Sequence, residues 1–128
     1  MSAMSDYLEL EILDHVLGTA AYTHPSTVYL GLSVGSMADD ASGTELSGNA
    51  YARQSMSFAA ASSGSAATNA TITFPTATGS WGTIAYWSIW DAASTGNMLV
   101  HGAFSASKAI GTGDILRVNS GDLTVTAA

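Results

Sequence analysis

A chain of 128 residues with no cysteine is long enough to bury roughly two-thirds of its unfolded surface, and it lacks any thiol for disulfides, redox work or cysteine-ligated zinc. Only 10% of the residues are charged, and ten acids against three bases (Arg53, Lys108 and Arg117) give a formal net charge of -7. That balance makes nucleic acid and anionic membrane poor partners, and no apolar run approaches the roughly 20 residues that cross a bilayer.

The first predicted element is a helix over residues 6–17. The segment turns acidic at Asp6 without a basic start, so it does not read as a signal peptide. Asp6 with Glu9 three residues later has the form of a capping box, Asp6 being the cap. Leu8, Ile12 and Val16 make an apolar stripe that Tyr7, Leu10, Leu13 and Leu17 widen at helical spacing. Glu9, Glu11 and Asp14 take the remaining face. Gly18 supplies the left-handed residue that stops a helix. So apolar a helix must dock on something.

Everything after Pro25 reads as β. Residues 27–34, TVYLGLSV, alternate Val28, Leu30, Leu32 and Val34 against Thr27, Tyr29, Gly31 and Ser33. A long Gly/Ser/acid loop follows over 35–50. Strands are then expected over 51–60, over 68–74 after an SSGSA turn, over 82–92, and over 98–104 after STGN. SKAIGTGD connects to one or two closing strands over 115–126, around Ser120-Gly121. Turn signals every 8–12 residues between short strands predict a mainly β fold: a single domain over 1–128, with the helix followed by a β-sandwich or jelly-roll-like body of seven or eight antiparallel strands over 26–127.

One strand poses a problem. In GTIAYWSIWDA, residues 82–92, Ile84, Tyr86 and Trp90 are expected on one face, and Trp87 and Ile89 on the other. A sheet with one wet face would carry polar residues at alternate positions. Both faces therefore need cover, and the N-terminal helix or a neighbouring subunit is expected to supply the second.

Catalytic constellations are thin. His15, His24 and His101 are scattered, no serine occupies a Gly-x-Ser-x-Gly elbow, and no phosphate-cradling glycine loop is present. No cofactor is implied. Asp39, Asp40 and Glu45 share a loop that could hold calcium, or could be a solvated acidic segment. Trp81, Trp87, Trp90 and Tyr86 could stack on a sugar. Against that, Trp87 and Trp90 are three residues apart and point to opposite faces, which favours packing; Trp81, before Gly82 in a turn, is the ring expected to be exposed.

Certain stretches carry a resemblance: DYLELEILDHVLGTAAYTHPSTVYLGLSVG, YARQSMSF, ATITFPTATGSWGTIAYWSIWDAASTGNML and GDILRVNSGDLTVT, with FPTATGSWGTI and GDLTVT the most distinctive. The chain resembles small virion proteins of tailed bacteriophages, described as tail fibre or minor structural proteins. The resemblance implies a structural, non-catalytic component of the particle. Negative charge disfavours a place against packaged DNA, which leaves the outer surface. There the chain is expected to act as a capsid decoration (cement) protein, or alternatively as a tail fibre, tail-tip or glycan-binding receptor component. Its expected partners are itself, as a homotrimer, and the major capsid protein or other virion proteins; a host glycan stays open. Candidate interface or packing residues are Trp81, Tyr86, Trp87, Ile89 and Trp90 of the aromatic strand, with Tyr7, Leu10, Leu13 and Leu17 of the helix. On the interface reading, Trp87→Ser weakens assembly more than folding.

Overall fold

The computed structural model describes residues 2–127. In chain order the elements are β1 (Ser2–Met4), α1 (Asp6–Leu17), β2 (Val28–Ser33), β3 (Gln54–Met56), β4 (Ser65–Ala67), β5 (Ile72–Thr73), β6 (Gly82–Trp90), β7 (Met98–Ile110), β8 (Arg117–Val118) and β9 (Thr124–Thr126). The fold is mainly β, and every strand pairing among the described residues is antiparallel. A five-stranded sheet runs β1-β7-β6-β2-β3, and β4-β9 and β5-β8 form two short ribbons.

Three elements depart from the sequence expectation, one of them β4, whose Ser65–Ala67 pair with β9 where the SSGSA turn and the residue after it were expected. A strand precedes the helix: β1 pairs with β7 from Ser2↔Gly102 to Met4↔Val100. Three residues give no detectable periodicity, so only the partner strand defines β1. Strand β7 also continues through SKAI to Ile110, because 108–110 find ladder partners on β6 at 82–84. The chain ends meet: β1 lies beside β9, and the Thr126 amide donates to Ser2 Oγ at 3.1 Å.

The main core fills the space between the large sheet and the ribbons. It gathers Leu30, Leu32, Ile72, Phe74, Ile84, Trp87, Ile89, Ile110, Val118 and Leu123, among others. Trp81, expected to be exposed, is only 4% exposed. Its ring stands edge-on to Tyr51 at 5.6 Å and Phe74 at 6.3 Å between centroids, and its indole N–H donates to the Asn49 carbonyl at 2.9 Å. A polar tip with one backbone acceptor allows a tryptophan next to a glycine turn to fold inward.

Strand β6 answers its own problem in two ways. Its ladder with β7 slips between Ile84↔Lys108 and Tyr86↔Ala103. Ala85 therefore stands opposite four β7 residues, 104–107. The slip resets the alternation, so Ile84 shares the core with Trp87 and Ile89 rather than facing away with Trp90. Within the chain, the second face is covered by a loop rather than by α1. The loop over 35–50 folds back across it, with Met37 packing on Trp90 and Met98.

Polar groups close that cover. Arg53 donates from Nη2 to Glu45 Oε1 at 2.7 Å and from Nε to Glu45 Oε2 at 2.9 Å. Its Nη1 reaches the Ala92 and Thr95 carbonyls at 2.9 and 2.8 Å, and its guanidinium carbon sits 3.8 Å from the Trp90 ring centroid. The Tyr51 hydroxyl donates to Glu45 Oε2 and accepts from the Leu32 amide. Burial, then the hydrogen bond and negative charge of Glu45, push the Tyr51 phenol far above its ordinary value. Gly31 makes room for all this: a Cβ there would lie 2.8 Å from Glu45 Oε2 and 3.1 Å from Trp90 Nε1.

Candidate interaction surface

Helix α1 is fixed at one end. Its N-cap is Ser5, one residue before the expected Asp6. Ser5 is buried, donates from Oγ to the Met98 carbonyl, and accepts from the Leu8 amide at 3.2 Å. The Ser5 amide donates to the Leu99 carbonyl and the Asp6 amide to the Asp39 carbonyl, each at 2.8 Å. Asp6, with the same cap chemistry, lies just inside the first turn, where its charge still favours the helix dipole. Gly18 closes the other end in the left-handed region, with φ 84°.

Between those ends the helix turns a narrower face inward than its pattern suggests. Tyr7 and Leu8 pack on the core, and Ile12 is half-buried. Burial, then the charges of Glu11 and Asp91, raise the Tyr7 phenol above its ordinary value. Leu10, Leu13, Val16 and Leu17 are 64, 54, 71 and 73% exposed. Asp6, Glu9 and Asp14 are exposed as well. Helical spacing puts Glu9 four residues from Leu13, and Leu10 four from Asp14, so acids and leucines share the outer face. Helical periodicity alone sets the acids apart from the apolar stripe. The structure interleaves them, because the inward arc is centred on Tyr7, Leu8 and Ile12.

The remaining candidates separate cleanly. Trp81, Trp87, Ile89 and Trp90 are buried within the chain, at 4, 4, 3 and 8% exposure, and Tyr86 is half-buried. Trp87 and Ile89 pack into the chain's own core. The aromatic rings present no open platform for a sugar. The three loop acids go to three different partners: Asp39 to His101 Nε2 at 2.7 Å, Asp40 to the Ser42 amide at 2.8 Å, and Glu45 to Arg53. Hydrogen bonds from Ser42 hold the Asp40 carboxyl below its ordinary value. No group of three metal-ligating side chains forms among the described residues.

A second surface feature arises from the slip in β7. Where residues 104–107 leave the ladder, an open cleft of about 390 Å³ forms, with Phe104, Ser105 and Ala106 along it. Ile84, Leu116 and Val118 line it as buried side chains, Lys108 and Arg117 as exposed ones, and Asp122 also borders it. Arg117 donates to Thr73 Oγ1 at 3.3 Å. Neither cation forms an ion pair among the described residues. Sequence reading counted these two bases without joining them, because they are nine positions apart on strands from different sheets.

A family model described as podophage GP4 fiber I protein gp80 matches residues 3–126. The chain belongs to that family. No curated protein matches it. As a member of the gp80 fibre family it is a phage virion protein, and the resemblance to small virion structural proteins of tailed phages is thereby substantiated. The helix leaves Leu10, Leu13, Val16 and Leu17 exposed on a sparsely charged exterior, and wet apolar patches of this kind promote association.

Proposed function

We propose that this gp80-family chain is a non-catalytic structural subunit of a phage fibre, acting through association with copies of itself and with other virion proteins. One observation carries the reading: the only helix among the described residues is anchored at Ser5 and leaves Leu10, Leu13, Val16 and Leu17 uncovered. Each such side chain contributes about 1.5–3 kcal/mol when fully buried, so four together make a substantial contact. The continuous core spanning sheet and ribbons supports a single domain. Family membership favours the fibre over a capsid-decoration role, for which the fold offers no feature of its own. A closed ring of three copies fits a fibre axis, since subunits around an axis bury such patches symmetrically.

Purified virions test this. Mass spectrometry should find the chain in several copies per particle, and antibody-labelled electron micrographs should place it on the fibre. Absence from the particle, or label confined to the capsid surface, overturns the proposal.

A further inference from the structure

We propose that α1 of one copy docks into the Lys108–Arg117 cleft of a second copy, in a head-to-tail contact. This deepens the fibre-subunit reading and rests on it for its setting, while its test is made in solution.

Charge complementarity selects the pairing. The outer face of α1 offers leucines flanked by Glu9 and Asp14. The cleft offers the apolar surfaces of Ile84, Phe104 and Leu116 beside Lys108 and Arg117. Of the chain's three bases, Arg53 is committed to Glu45. Lys108 and Arg117 are therefore the lysine and arginine side chains of a second copy that remain to answer the acids of α1. Asp122 on the cleft border reduces the local positive charge without reversing it.

Geometry makes the contact intermolecular. Helix α1 is bolted to β7 at Met98 and Leu99, whereas the cleft opens beside Lys108. The β6 partners of Met98 and Lys108 are Trp90 and Ile84, six residues apart, roughly 20 Å at about 3.3 Å per residue, and no residue of α1 lines the cleft of its own chain. A symmetric helix-on-helix contact would set Glu9 and Asp14 against their own copies, in a chain whose net charge of -7 already repels itself. A helix-in-cleft contact is heterologous, and such contacts close into rings or propagate along an axis; both suit a fibre.

Reversing charges tests the pairing with the full chain. Lys108→Glu with Arg117→Glu forms one variant, and Glu9→Lys with Asp14→Lys the other. All four side chains are exposed, and an unchanged melting temperature in dilute solution confirms that each variant folds. In sedimentation velocity each variant alone should associate at least tenfold more weakly than the wild type, and an equimolar mixture should recover association to within about threefold. A wild-type chain that stays monomeric, a cleft variant that associates like wild type, or a mixture that stays apart overturns the docking. None of these outcomes touches the presence of the chain in virions, so failure here and failure of the fibre reading are told apart.

Discussion

Arg53 sits over Trp90, its guanidinium carbon 3.8 Å from the ring centroid, while its fork holds the Glu45 carboxylate. This pair ties the 35–50 loop to the back of the sheet. Arg53→Ala removes the stacking and leaves a half-buried carboxylate without its cation. Breaking such a pair from one side costs about 3–5 kcal/mol; solvent access at Glu45 puts the expected loss at the lower end. Urea unfolding of the variant against wild type measures it, and a change under about 1 kcal/mol would show that the other contacts of the loop hold it without Arg53.

Tyr51 gives the fold a sensitivity to alkali. Its phenol is raised far above the ordinary 10.0, so at pH above about 10 the unfolded chain gives up a proton that the folded chain keeps. The folded state then binds more protons, and stability falls as pH rises, by up to about 1.4 kcal/mol per unit. Below that pH both states are protonated and the effect vanishes. Tyr51→Phe should flatten the dependence between pH about 9 and about 11, relative to wild type, in denaturant titrations.

Gly31 is set by the packing across it. Gly31→Ala places a methyl group 2.8 Å from Glu45 Oε2 and 3.0 Å from Ser88 Oγ, and overpacking of this kind costs about 1–3 kcal/mol. Gly35→Ala, where nothing lies within 4 Å of the added carbon, should change stability by under about 0.5 kcal/mol. Thermal melts of both variants check the contrast.

Trp87 and Leu17 should behave oppositely. Trp87→Ala hollows the core and should cost about 3–5 kcal/mol. Leu17→Ser, at an exposed site, should leave the unfolding free energy of the isolated chain within about 0.5 kcal/mol while weakening association. Unfolding followed at low concentration, beside sedimentation at high concentration, separates the two effects.

Much of this fold is legible along the chain. Apolar–polar alternation marks β2, a run of bulky apolar residues after Gly82 marks β6, and Gly18 marks the helix end, because these signals are local. What escapes is decided across the chain. The slip opposite Ala85 depends on four β7 residues leaving the ladder, and Ile84 beyond it joins the core. Trp81 turns inward because the Asn49 carbonyl, 32 positions away, accepts its N–H. Ser5 outcompetes Asp6 as the cap because Met98 and Leu99 on β7 hold it there. The contact surface is half legible: periodicity gives the helix its apolar residues, but only the docking of Tyr7 and Leu8 tells which of the others face water. Lys108 and Arg117 come together through strand pairing, which no spacing in the sequence encodes.

The hydrogen bond from the Thr126 amide to Ser2 Oγ has a practical outcome. With the first and last strands side by side, a short flexible linker can splice them, and the backbone can be reopened at an exposed loop such as residues 111–115. A circularly permuted chain of this kind keeps the same strand pairings in a new order.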